Sequence, residues 1–248
     1  MTANALERMD HRPWPMPERR WTMAQRWHDL LFAHWPVRPE RMRALVPDAF
    51  ELDLFDGDAW VGIVPFRMTG IRHRLTPPLP WISAFCEINV RTYVKVGNKP
   101  GVFFFSLDAS NPVAVAVAQR WFHLPYFNAK MSLRDDGTTI RYASRRSHGN
   151  GPEGEFRARY RPTSDPYAAV SGTLEHWLTE RYCLYSIDSK GGIHRGEIQH
   201  APWPLQKAEA EIEVNTLARG HGIEHDRTEP LLHFARELSV VVWSIASC

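Results

Sequence analysis

The stretch from Phe85 to Lys95, Phe-Cys-Glu-Ile-Asn-Val-Arg-Thr-Tyr-Val-Lys, alternates residue by residue. A β-strand sends successive side chains to opposite faces. Cys86, Ile88, Val90, Thr92 and Val94 then make one packing face, while Phe85, Glu87, Asn89, Arg91, Tyr93 and Lys95 make a face rich in ionisable and hydrogen-bonding groups. In a flat sheet the second face meets water. In a closed barrel the apolar face packs outward under helices and the polar row lines a pocket. Which way this strand looks decides whether the row is a binding site or a solvated surface.

Size and composition narrow the setting. A chain of 248 residues with 44% hydrophobic and 23% charged residues is ordinary for a folded soluble protein, and all-β barrels of this length are often single domains. The formal net charge of +2, with no basic block interleaved with aromatics, argues against nucleic acid as a partner. Cys86, Cys183 and Cys248 are few and widely spaced, with no Cys-x-x-Cys. A disulfide framework or a cysteine zinc site is therefore not expected, and a reducing, cytoplasmic location fits. The first residues lack the apolar core of a secretory signal. Apolar runs such as Val113 to Ala118 fall far short of a membrane span. Lysine is scarce: Lys95, Lys99, Lys130, Lys190 and Lys207 make the full set, a short roster for imine chemistry.

Residues 1–20, rich in Pro, Arg and Met without periodicity, read as a flexible arm, and 21–248 as one domain. Trp21 to Val37 is aromatic and partly alternating, and Pro39 to Leu45 suits a short helix. Phe50 to Leu54 and Ala59 to Phe66 flank Asp56-Gly57 and predict a hairpin. After the strand at 85–96 and a second at 102–107, Asn111-Pro112 opens a helix to about Phe122, with Asn as N-cap. Strands are expected at 126–133, 139–146, 155–161, 182–187, 193–200 and 236–245, and helices over 173–181 and 205–211. That is about ten strands against three or four short helices in antiparallel order, a mainly β domain.

Several familiar motifs fail on context. Gly149-Asn150-Gly151-Pro152-Glu153-Gly154 has the letters of a dinucleotide fingerprint, but a basic strand precedes it and Phe156 to Tyr160 alternates instead of opening a helix. It reads as a hairpin loop. There is no Walker A sequence and no Gly-x-Ser-x-Gly elbow. His221-Gly-Ile-Glu-His225-Asp226 offers metal-compatible side chains, yet its glycine works against a helix that would align the imidazoles, so no metal or other cofactor is expected. His34 and His200 each adjoin a Trp-Pro pair and read as histidines held in aromatic corners, with proton transfer left open.

Ala59-Trp-Val-Gly-Ile-Val-Pro-Phe66, Glu87-Ile-Asn-Val-Arg-Thr-Tyr93, Gly101-Val-Phe-Phe-Phe-Ser-Leu-Asp108, Leu124-Pro-Tyr126, Glu180-Arg-Tyr-Cys-Leu-Tyr185 and His200-Ala-Pro-Trp-Pro-Leu205 together resemble the YqjF-like proteins. These form a bacterial family of unknown function in the acetoacetate decarboxylase-like superfamily. The resemblance runs over residues 22 to 245. It implies a closed, cone-shaped antiparallel β-barrel with a few short helices packed outside and a ligand cavity within. It also implies an activity that the residues do not support. Superfamily enzymes form a Schiff base through the lysine of a Gly-x-Pro-Lys-Lys sequence, and in acetoacetate decarboxylase a neighbouring cation activates that lysine. Here the matching stretch is His123-Leu124-Pro125-Tyr126-Phe127. Lys130 shares a strand face with Tyr126 and Asn128 but stands roughly 13 Å further along, a rim position from which an imine is disfavoured.

The candidate site is therefore Glu87 and Arg91 with Asn89 between them, and Lys130 as the lysine to test. Tyr93, Asp108, Tyr126, Asn128, Arg181, His200 and Trp203 are the expected ligand contacts. Arg91 suits a small carboxylate, and Glu87 suits acid–base work if burial raises its pKa. Buried, each charge needs a partner, with Asp108 and Arg181 the candidates on the protein side. Three readings stand: an acid–base lyase without an imine, a non-catalytic barrel binding a small acid, or a structural, oligomerising protein whose polar row is a core network.

Overall fold

The computed structural model describes residues 3–147, 151–225 and 229–248. It contains strands β1 (Met23–Val37), β2 (Glu51–Leu52), β3 (Ala59–His73), β4 (Phe85–Val96), β5 (Lys99–Ala109), β6 (Tyr126–Asp135) and β7 (Ile140–Arg146). These are followed by β8 (Glu155–Pro162), β9 (Cys183–Ile187), β10 (Ile193–His200), β11 (Gln206–Asn215), β12 (Leu231–Val242) and β13 (Ala246–Ser247). Short helices α1 (Ala3–Glu7), α2 (Pro39–Arg43), α3 (Pro112–Phe122), α4 (Leu174–Thr179) and α5 (Leu217–Gly220) punctuate them. α3 starts where the sequence places it: the Asn111 side chain accepts hydrogen bonds from Val113 N at 3.0 Å and Ala114 N at 3.1 Å, with proline at the first position.

All the strands belong to one sheet whose pairing divides at two places. β5 pairs with β4 along one edge, and its other edge meets β9 at Val102 and Phe103 but β6 from Leu107 to Ala109. β12 pairs with β1 on one side, while its other side meets β10 from Val240 to Val242 and β11 at His233 and Phe234. The order β12–β1–β3–β4–β5 is thus common to two circuits of pairings. One returns through β9 and β10, the other through β6, β7, β8 and β11.

This arrangement buries both faces of β4. Ile88 and Val90 belong to the main core with Ile63, Tyr142, Phe156 and Tyr160, so the apolar face packs against the second circuit's strands and not under helices as expected. The Tyr142 hydroxyl seals the contact by donating to the Glu87 carbonyl at 2.7 Å. Glu87 and Asn89, on the opposite face, are also buried.

Other expectations change as well. The order is not purely antiparallel: β5 pairs in parallel with both β6 and β9. A parallel neighbour needs a crossover, and α3 supplies the one between β5 and β6. Residues 205–211 are not a helix: Leu205 makes an isolated bridge to Tyr167, and 206–211 form part of strand β11. Ala, Glu and Lys favour helix locally, but Lys207, Glu209 and Glu211 alternate outward with Ala208 and Ala210 inward, and Arg159 and Arg161 of β8 pair with Glu211 and Glu209. The Asp56-Gly57 turn is present with positive φ at both residues, but β2 pairs with β4 and not with β3. The segment Gly151 to Gly154 leads straight into β8, while Gly149 and Asn150 of the failed fingerprint lie outside the described residues, as does Asp226 of the histidine loop. No group of three metal-ligating side chains occurs among the described residues. No helix among them is long and apolar enough to cross a membrane.

The expected flexible arm is docked. Ala5 is buried, and Arg12, also buried, forms an ion pair with Glu197 and donates to the Ile198 carbonyl at 2.6 Å and to Gln199 Oε1 at 3.1 Å. Trp14 Nε1 donates to Glu197 Oε2 at 2.9 Å. A buried carboxylate on β10 thus recruits the segment, a long-range partnership that composition does not reveal. Because Arg195 and Lys99 also face Glu197, replacing Arg12→Met removes the ion pair and the donations to Ile198 and Gln199 without stranding the carboxylate. The expected loss is about 2 kcal/mol, read as a lower denaturation midpoint with earlier proteolysis within residues 1–20. An unchanged midpoint and cleavage pattern would return this segment to a free arm.

Candidate functional site

Inside the circuit that returns through β9 and β10 lies a cavity of about 160 Å³. Two irregularities keep its wall in register. Between Val90 and Arg91 the β4–β5 pairing slips by one residue, so the β5 lining passes from Leu107 to Phe104 and Val102. On β1 the pairing with β3 is irregular between His28 and Ala33, and the lining passes from Gln25 and Trp27 to Leu30. Asp29 sits at that switch with φ of 54°. Its carbonyl accepts from the Tyr160 hydroxyl at 2.8 Å, and its carboxylate pairs with Arg236 at 2.7 Å, contacts that hold an unfavourable backbone geometry in place.

Of the expected site residues, Glu87, Asn89, Arg91, Tyr126, Arg181, His200 and Trp203 line the cavity. Glu87 is 3% exposed and accepts from the Tyr126 hydroxyl at 2.7 Å. Burial pushes its carboxyl up to about 7, against the opposing pull of hydrogen bonds from Tyr126 and Asn89, and the Asp108 charge adds to the rise. Tyr126 is itself held well above its ordinary range, first by burial and then by Glu87, so it stays a neutral donor.

Arg91 is half-buried, with its guanidinium 5.2 Å from the Phe32 ring centre and 5.8 Å from that of Tyr93. No carboxylate among the described residues forms an ion pair with it, and its Nε has no hydrogen-bond partner. Arg181 is buried, paired with Asp53 at 2.5 Å, and donates from Nε to the Trp177 carbonyl at 2.6 Å, yet its Nη2 has no partner. The buried Asn89 Oδ1 and the indole Nε1 atoms of Trp27 and Trp203 are also unpartnered. Five unsatisfied polar atoms, four of them donors, therefore belong to residues of one cavity wall.

The remaining expected residues stand back from it. Tyr93 does not line the cavity. Its hydroxyl donates to the Leu178 carbonyl at 2.9 Å and accepts from His34 Nε2 at 2.6 Å, while its ring lies 4.8 Å from the Arg181 guanidinium. Burial first, then the charges of Arg91, His233 and Arg181, hold the His34 pKa well below its usual value, so the imidazole is neutral. Gly62 makes room for this brace, since a Cβ there would come within 2.9 Å of the His34 ring and 3.3 Å of Arg91 Cγ. His200 is neutral for the same reason, burial, and its Nδ1 donates to the Ala201 carbonyl at 2.7 Å while the ring stacks on Tyr182.

Asp108 and Arg181 do not partner Glu87 and Arg91 as expected. Fully buried Asp108 takes a forked contact from Arg146, with Nε to Oδ2 at 3.0 Å and Nη2 to Oδ1 at 2.8 Å. Asn128 lies on β6 away from the cavity, where its carbonyl accepts from Ser147 N at 2.8 Å. Lys130 is exposed and does not line the cavity: from Tyr126 the strand carries it outward past the wall. None of the five lysines lines the cavity. Sequence reasoning missed Trp27, Asp53 and Arg146. The alternation of β1 carried a signal for Trp27, while the two ion-pair partners had none.

Comparison with known proteins places this architecture. The model of DUF2071, a family of uncharacterized conserved proteins, matches residues 24–239. The uncharacterized protein YqjF of Bacillus subtilis (strain 168) is 46% identical over 239 residues, spanning 96% of this chain and 98% of YqjF. Among solved structures, the enduracididine biosynthesis enzyme MppR complexed with pyruvate superposes with a TM-score of 0.63 at 10% identity, covering 96% of this chain and 93% of that one. Acetoacetate decarboxylase from Legionella pneumophila does so with a TM-score of 0.61 at 14% identity, covering 96% and 94%. At those identities the likeness is one of fold. The extent and identity of the sequence matches make the protein a member of the DUF2071 family, YqjF-like in sequence and acetoacetate decarboxylase-like in fold.

Proposed function

We propose that the cavity binds a small carboxylate or carbonyl compound and acts on it by acid–base chemistry without an imine. The reading treats the circuit through β9 and β10 as a closed, cone-shaped barrel with the ligand at its centre. The observation that carries it is that residues lining this cavity hold unsatisfied donors, Arg91 Nε and Arg181 Nη2 foremost, and that no carboxylate among the described residues neutralises Arg91. A guanidinium presents a planar fork that matches a carboxylate, and a buried donor left without an acceptor is costly. A ligand carboxylate meets both requirements.

Glu87 supplies the proton chemistry. A carboxyl near neutrality is suited to give or take a proton at the working pH, and the neutral Tyr126 hydroxyl orients it. MppR holds pyruvate, a small 2-oxo acid, which is consistent in kind. The absence of lysine from the wall separates this site from Schiff-base catalysis. Free Cys86, Cys183 and Cys248 suit a reducing, cytoplasmic setting.

Three experiments test the reading. In thermal-shift titrations with a panel of small 2-oxo and 3-oxo acids, stabilisation is expected from at least one acid. Arg91→Gln should weaken it by ten- to a hundredfold in Kd, the scale of one charge-assisted contact. Equal stabilisation of both proteins would remove Arg91 as the anchor. If Glu87→Gln abolishes turnover of a bound acid and leaves its Kd intact, Glu87 is the acid–base group. Turnover that survives the substitution excludes that role, and binding without turnover in the wild type makes the cavity a binding site alone.

The third concerns pH. The folded protein holds the Glu87 proton more tightly than the unfolded chain, so this group's stabilising contribution is complete below about pH 4.5 and is lost as pH rises through about 7. The whole contribution is on the order of 3 kcal/mol. Glu87→Gln cannot titrate, so its melting temperature should gain on that of the wild type between pH 5 and pH 7.5. Parallel curves would show that Glu87 ionises at an ordinary pKa.

A further inference from the structure

Two apolar segments stand in solvent side by side. On α3, Val113, Val117 and Trp121 recur every fourth residue and share one exposed face, which runs along roughly 12 Å of helix. The opposite face packs inward: Val115 is buried, and Ala118 and Phe122 line the cavity. Beside the start of this helix runs the connection from β3 to β4, which holds out Leu75, Leu79 and Trp81, the last of them 91% exposed. Asn111, the N-cap of α3, donates from Nδ2 to the Trp81 carbonyl at 2.8 Å and joins the two segments. Both lie over one apolar cluster, against which Ile71 and Phe85 pack from the ends of β3 and β4 and Phe122 from α3.

The fold holds Trp81 outward against its own preference. Its φ is 68°, a conformation that bulky residues rarely adopt and that persists only where the surroundings enforce it. Here the Asn111 contact and the Ser83 carbonyl, which accepts from Ile71 N at 3.2 Å, fix the connection. The charge around the exposed residues has one sign. Between Asp58 and Glu87, and again between Asp108 and Asp135, the sequence contains no acid. Arg72 and Arg74 rest on the Trp21 ring at 5.5 Å and 5.6 Å, and neither they nor Arg120 meets a carboxylate among the described residues. Asp188 approaches through His194, whose ring lies 5.1 Å from that of His123, and is already paired with His194 at 2.7 Å.

We propose that this face seats the protein on an anionic phospholipid surface, with Trp81 and Trp121 entering the headgroup layer and Arg72, Arg74 and Arg120 meeting lipid phosphates. Indoles settle at that depth, and helices that lie on a bilayer combine an apolar face with flanking cations. The negative leaflet attracts each such arginine. A second copy of the chain fits the face poorly, because a twofold contact would set arginines against arginines. Side chains this exposed stand clear of their neighbours and make no pocket for a protein partner's anchors. The inference is independent of the carboxylate reading. It gives α3 two duties, one face walling the cavity and the other resting on lipid.

Flotation of the full chain with lipid vesicles tests this. Vesicles of equal parts phosphatidylglycerol and phosphatidylcholine are expected to carry the protein, and vesicles of phosphatidylcholine alone to bind it at least tenfold less. Salt at about 1 M, where the screening length is about 3 Å, should lower binding to the anionic vesicles at least tenfold. Trp81→Ser combined with Trp121→Ser should lower the partition coefficient at least tenfold, and Arg74→Gln and Arg120→Gln about fivefold each. Leu75→Ser combined with Leu79→Ser serves the same comparison if the tryptophan variant does not fold.

No flotation with either composition overturns the inference. Equal flotation with both does so as well, because it removes the arginines from the contact. Binding that every variant retains puts the lipid contact elsewhere on the molecule and overturns the assignment of this face. If light scattering finds an oligomer that the tryptophan variant dissociates, the face belongs to a second copy and the lipid assignment falls. None of these outcomes bears on the binding of acids in the cavity.

Discussion

Everything at the cavity depends on how β5 and β12 share out their outer edges. A strand has two edges, and in a simple sheet each meets one neighbour. Here each of these two strands divides one edge between two partners, β9 and β6 for β5, β10 and β11 for β12. The five-strand wall that they bound is consequently covered on both faces. β4, within that wall, presents Ile88 and Val90 to a packed core and Glu87, Asn89 and Arg91 to the cavity. Its alternation is thus neither half-solvated nor turned outward under helices, the two arrangements its sequence invites.

Burying so many ionisable groups requires that most be matched. Asp108 meets Arg146, Arg181 meets Asp53, and Glu197 meets Arg12, Arg195 and Lys99. Such pairs are strongly destabilising to break, because the remaining member is left as a buried charge. Against this background the exceptions stand out. Arg91 lacks a carboxylate among the described residues, and Glu87 meets its burial by holding a proton more tightly. The site is where the pairing rule that governs the rest of the interior is relaxed.

Much of this was legible in the chain and some was not, for physical reasons. The bounds of β4 and α3 follow from local signals, strict alternation in one and Asn111-Pro112 in the other. The cavity row Glu87, Asn89, Arg91 follows from the same alternation. The partners were not legible: Arg146 lies 38 residues from Asp108 and Asp53 lies 128 from Arg181, and nothing local links them. β11 failed for the opposite reason. Its local preferences are clear and point to helix, but pairing with the arginines of β8 overrides them. Lys130 falls outside the cavity because a face shared with Tyr126 says nothing about how far the cavity extends along β6.

The one-residue slip between β4 and β5 acts as a phase setting for the whole wall. The core lies on one side of β4 and the cavity on the other, so parity along the strand is an address. A substitution at Glu87 or Arg91 alters one occupant. An inserted or deleted residue between them would exchange addresses beyond that point, sending a guanidinium into the packed core and a core side chain into the cavity. This part of the chain is therefore far freer to change its letters than its length, and divergence among proteins built this way should accumulate as replacements here and as insertions only beyond the turns.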